Sequence, residues 1–180
     1  MLAILLMAVS LALGMSACGE STDTTSSSTT SSTSGNRLSA GAYHLQDGGK
    51  TIVESGRQIP VKPKSVAGYV DNAIPAGKSI GVSGWAVSAD LSGPADAVVA
   101  FVDGRAVAAQ EPTGERADVA KNYGRPELER SGFGLIVPVK SLNCTAPAQG
   151  LEVFGITGGT ASRLDWLGVT HTRQHVASQC

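Results

Sequence analysis

The chain has 180 residues, with 14 basic and 15 acidic side chains, three cysteines and only 4% aromatic residues. That length suits one domain with appendages. A formal charge of −1 supplies no basic field for phosphates and argues against a nucleic-acid partner. The 22 glycines favour a turn-rich β protein over a helical bundle, and 42% hydrophobic residues suffice for a packed core.

Residues 1–17, MLAILLMAVSLALGMSA, carry no charge. They are shorter than the ~20 apolar residues of a comfortable membrane span and read as a signal peptide. Residues 18–35 follow as a cysteine and a polar tract. Every residue from 21 to 34 is Ser or Thr except Asp23. Such a tract buries too little apolar surface to offset its ordering entropy and is expected to act as an extended tether. Gly14-Met15-Ser16-Ala17-Cys18 resembles the lipobox of bacterial lipoproteins, although Met15 stands where that family prefers leucine. The resemblance implies lipidation of Cys18, cleavage just before it, and anchoring on the extracytoplasmic side of a bacterial cell membrane. Two or three acyl chains would hold such a protein firmly, each buried CH₂ adding ~0.8 kcal/mol.

With Cys18 assigned to lipid, Cys144 and Cys180 remain. An exported chain with an even pair is expected to bond them. The loop from 144 to 180 would be worth about 3–4 kcal/mol in a chain-entropy account.

Residues 36–64 read as a lead-in. Val53, Ile59 and Val61 could lie against the domain, but Gly48-Gly49, Pro60 and Pro63 interrupt any long element, and Lys62-Pro63-Lys64 reads as a hinge. From residue 65 to 180 short β-segments alternate with turn signals. Segments at 65–70, 79–87, 95–102, 105–110, 132–139, 151–156 and 161–167 give about seven strands. In the second, Ile80, Val82, Gly84 and Ala86 share one face and Trp85 and Val87 the other. The third, rich in Val with a Phe, suits a central strand. Asp103-Gly104 signals a type I′ hairpin. Residues 116–124 fit a short helical turn ended by Gly124. The expected fold is all-β, an antiparallel immunoglobulin-like β-sandwich.

Five short motifs are spread along this region: Gly68-Tyr69-Val70-Asp71, residues 82–88 (VSGWAVS), residues 98–104 (VVAFVDG), residues 116–120 (RADVA) and residues 131–135 (SGFGL). Together they resemble a small immunoglobulin-like β-domain of bacterial envelope proteins, over roughly residues 66–157. Ala117 replaces a usual proline and Ser88 a frequent aspartate, so a shared ligand does not carry over. The resemblance implies a non-catalytic accessory module, and no cofactor is expected.

Other chemistry reads poorly. Gly77-Lys78-Ser79 lacks the phosphate-loop glycine, since Asn72 stands at its place. Gly81-Val82-Ser83-Gly84 is no nucleophile elbow, because Trp85 follows. His171 and His175 lack a third zinc ligand, and neither a catalytic residue nor a metal site is assigned. Arg116 and Asp118, at i and i+2, could bridge to each other and fix a loop or clamp a polar ligand, with Tyr123 and Trp166 as candidate ligand platforms. The expected function is a tethered binding or accessory module for an envelope glycan or protein. A purely structural envelope component and a small secreted hydrolytic enzyme are the alternatives.

Overall fold

The computed structural model describes residues 37–142, 145 and 150–167. The leader, Cys18, the Ser/Thr tract, Cys144, Cys180, His171 and His175 lie outside the described residues.

Among the described residues, eleven strands and a short α-helix follow one another. The strands are β1 (Tyr43–Gln46), β2 (Thr51–Glu54), β3 (Arg57–Pro60), β4 (Val66–Ala76), β5 (Ser79–Ser88), β6 (Ala97–Val102), β7 (Arg105–Gln110), β8 (Gly132–Pro138), β9 (Leu151–Thr157), β10 (Thr160–Arg163) and β11 (Asp165–Trp166), with α1 at Ala117–Tyr123 between β7 and β8. They form a seven-stranded sheet, β10-β9-β6-β7-β1-β2-β3, and a four-stranded sheet, β11-β4-β5-β8. Pairing is antiparallel except between β11 and β4. Six of the seven expected strands are β4 to β9, and the seventh, at 161–167, divides at Leu164 into β10 and β11, which belong to different sheets. With β4, β5 and β8 facing β10, β9, β6 and β7, they make the expected immunoglobulin-like sandwich.

The turns follow from residue chemistry. Asp103 and Gly104 have φ of 49° and 78°, the left-handed pair that a type I′ hairpin requires. Gly124 ends α1 at φ 64°, as a left-handed cap residue does.

The lead-in reading of residues 36–64 is corrected: the segment supplies β1, β2 and β3. Four-residue strands carrying one or two apolar side chains each give too little alternation to read. Their stability comes from what they cover. In β6 every residue is buried. Val98, Ala100 and Val102 enter the core between the sheets, with Val82, Leu135 and Val153. Ala97, Val99 and Phe101 enter a second core on the far side of the larger sheet, closed by Tyr43, Ile52 and Ile59. There Phe101 meets Phe154 edge-to-face, ring centres 5.5 Å apart. A strand without polar alternation needs cover on both faces, and β1 to β3 provide the second cover.

Nor is Lys62-Pro63-Lys64 a hinge. Lys62 N–H donates to Ala161 O (2.7 Å). The buried Ser162 hydroxyl donates to Lys62 O (2.6 Å) and accepts from the N–H groups of Ser65 (2.8 Å) and Val66 (3.1 Å). One hydroxyl thus ties the crossover to β10 and nearly closes the larger sheet. His44 lies on β1 opposite Arg105.

Ile52 and Ile59 are fully buried. Ile52→Ala is expected to cost about 2–5 kcal/mol, read as a lower urea midpoint at unchanged slope. A wild-type midpoint would mean that β1 to β3 do not belong to the cooperative unit.

Candidate functional site

The segment between β7 and β8 crosses the outer face of the four-stranded sheet. Gly114 and Gly132 exchange two backbone hydrogen bonds of 2.9 Å each. This crossing demands glycine: a Cβ on Gly132 would lie 2.9 Å from Gly114 O and 3.1 Å from Arg116 Cγ. The chain then enters α1, whose Val119 packs with Leu128 over Trp85 and Val87. Trp85 is therefore buried on the outer face beneath the helix, not between the sheets. Its ring also meets Tyr69 at 5.7 Å and Tyr123 at 5.9 Å.

Arg116 stands at the N-cap of α1. Its N–H donates to Glu129 O (2.6 Å) and its carbonyl accepts from Ala120 N–H (3.1 Å). The side chain forks. Nε donates to Asp118 Oδ1 (2.8 Å) and Nη2 to Asp118 Oδ2 (2.7 Å), while Nη1 donates to Asp71 Oδ2 (2.7 Å). The two-pronged pairing with Asp118 uses the planar fork that only arginine presents. The side chains of Arg116, Asp71 and Asp118 are 19%, 23% and 67% exposed. The hydrogen bonds from Arg116 hold the Asp118 carboxyl down at about 2, opposed by slight desolvation.

Asp71 was missing from the candidate residues. It is the extra residue of a β-bulge, since Val70 pairs with Gly84 and Asn72 with Ser83. The bulge lets Asp71 reach Arg116 across the sheet. The available signal was the position of Asp71 at the end of the first short motif. Four of the five dispersed motifs meet on this sheet, residues 98–104 lying in the larger one: on its inner face Gly84 leaves room for the Phe133 ring, whose Cζ would lie 2.7 Å from an added Cβ. Trp85, Arg116, Asp118 and Val119 build the helix contact on its outer face.

Below the clamp lies an open groove of about 310 Å³. Ser83, Gly84, Gly132 and Gly134 form its floor and Asp71, Glu115 and Arg116 its wall. Ile74 and Ile136 flank Gly81 in one cross-strand row and are both exposed. Tyr123 shares α1 with Asp118 and lies on this side. Trp166 does not: it pairs with Val70 and packs against the core between the sheets. Among the described residues no group of three or more His, Cys, Asp or Glu is placed to hold a metal ion, and no helix is long and apolar enough to cross a membrane. No family model, curated protein or solved structure matches the chain.

The clamp generates an ordered set of outcomes. Arg116→Ala leaves Asp71 without its cation in a partly buried place and should cost about 2–4 kcal/mol. Asp118→Ala removes a largely exposed partner and should cost about 1 kcal/mol or less. Thermal unfolding checks the order, and equal losses would mean that Asp118 contributes as much as the shielded arm.

The pH dependence has a definite sign. A folded-state carboxyl held at about 2, against an ordinary ~3.9, stabilises fully above the ordinary value. That contribution disappears as pH falls through about 2. The wild type should lose stability between roughly pH 4 and pH 2, and Arg116→Ala should lose less over the same interval. Parallel pH profiles would contradict the Asp118 assignment.

Proposed function

We propose that this chain is a lipid-anchored lipoprotein on the extracytoplasmic side of a bacterial membrane, and that its β-sandwich is a non-catalytic binding module for an envelope glycan. The order of segments supports the anchor: an uncharged leader, Cys18, a Ser/Thr tract, and then a self-contained fold from Arg37 onward. The groove on the outer face of the four-stranded sheet is the observation that carries the binding half. It is concave, it is floored by the smallest residues, and its wall offers the carboxylates of Asp71 and Glu115. Such acceptors suit a ligand rich in hydroxyl donors. Arg116 already directs its guanidinium to two carboxylates, so its part is to position the groove wall.

A protein partner is the second reading, favoured by the exposed Ile74 and Ile136 in the Gly81 row, two residues along the strands from Ser83 and Gly134 of the groove.

Cys18→Ser, expressed in a bacterial host, should move the chain from the membrane to the soluble fraction. Retention with an uncleaved leader would overturn the anchor. Non-reducing peptide mapping of the exported chain should link Cys144 to Cys180, and two alkylatable thiols would count against that pair. Gly134→Trp fills the groove at an exposed position and should abolish retardation in gels cast with soluble envelope polysaccharide. Retardation equal to wild type removes the groove as the glycan site. Loss of binding in Ile74→Asp and Ile136→Asp to an envelope protein, with no glycan retardation in the wild type, would establish the second reading.

A further inference from the structure

A second concavity, of about 630 Å³, opens between the two sheets where the β6–β7 hairpin faces the 3-10 turn Val139–Ser141 that follows β8. Val102, Ala106 and Val107 give it an apolar base. Arg105 enters from the hairpin and Lys140 from the turn, with Ser141 beside it. Four of the arginines are spent in ion pairs, Arg57, Arg116, Arg125 and Arg163. Arg105 and Lys140 have neither an ion pair nor a side-chain hydrogen bond among the described residues. A third cation, Lys78, belongs to the adjoining turn, where its carbonyl accepts from Val139 N–H (3.0 Å). The one carboxylate on the pocket wall, Asp103, is not free, being engaged in an interaction of its own.

We infer that this pocket binds a phosphoryl group. Arg105 and Lys140 are both exposed and are donors only, so the ligand that complements the pair is one that supplies acceptors and negative charge. The planar fork of Arg105 matches two phosphoryl oxygens, and Lys140 adds a compact charge from the facing turn. The volume falls within the range of small-molecule sites, so an organic portion such as glycerol fits with the phosphate. That phosphate could belong to a free phosphomonoester or to a lipid headgroup. The site is separate from the groove beside Arg116 and does not depend on the anchor.

The test is amide chemical-shift titration of the full chain at near-physiological salt. Three probes are used: inorganic phosphate, glycerol 3-phosphate, and water-soluble dihexanoyl phosphatidylglycerol below its micellar concentration. The expected result is saturable shifts confined to residues 102–107 and 139–141 with at least one probe. Arg105→Gln and Lys140→Gln should each weaken that binding by at least about tenfold, with unchanged melting temperature. Lys121→Gln, on α1, should bind like wild type. Saturation by glycerol 3-phosphate identifies a free phosphomonoester, and saturation by the lipid alone identifies a headgroup. Absence of saturable shifts with all three probes would overturn the site. So would wild-type affinity in both glutamine variants, or an equal loss in Lys121→Gln.

Discussion

The four-stranded sheet depends on one guanidinium for the cover of its outer face. Seven residues of helix are too few to persist alone in water, so α1 needs an external reason to sit where it does. Arg116 provides it by joining the helix's first turn to a bulged strand 45 positions earlier in the chain. The apolar contact beneath is the larger energy. Burying an indole such as Trp85 removes roughly 150–250 Å² from water, about 4–6 kcal/mol. That contact is non-directional, however, and would tolerate the helix at several angles. The charged fork has direction and selects one.

The same comparison explains why the short motifs are scattered in sequence yet adjacent in space. A glycine that admits Phe133 serves the inner face of the sheet, and a tryptophan that needs covering, an arginine that orients the cover and an aspartate that receives it serve its outer face. Each residue type follows from its neighbour's shape or charge. The motif is therefore informative about architecture first, and a ligand must use what that architecture leaves open, the small-residue floor beside it.

Legibility from sequence followed the size of the local signal. Strands β4 to β9 carry six or more residues each, so their apolar pattern, alternating in most and continuous in β6, is readable, as is the I′ turn at Asp103-Gly104. Strands β1 to β3 have four residues each, and only Ile52, Val53 and Ile59 announce burial. Their pairing is decided by Phe101 and Phe154, far along the chain, which no local window contains. Asp71 was hidden for a related reason: a bulge changes which side a residue faces, and period-two reasoning assumes none. Trp166 followed from tertiary context, since a two-residue strand beside β4 turns its ring inward.

The double burial of Ala97–Val102 bears on how the protein fails as well as how it stands. AVVAFV has no charge, no proline and strong β propensity, the composition that stacks into cross-β assemblies when it is uncovered. In the fold β9 and β7 occupy both of its edges, and a core lies against each of its faces. Insulation on four sides makes the segment harmless while every side remains in place. The side most easily lost is the N-terminal cover, which β7 holds only at its two ends, through the His44–Arg105 pair and the Leu38 N–H to Ala109 O bond, and which β10 holds through Lys62. Loss of that cover alone would present an apolar sheet face to neighbouring molecules while much of the sandwich remained folded, so self-association would begin from a nearly native form rather than from the unfolded chain.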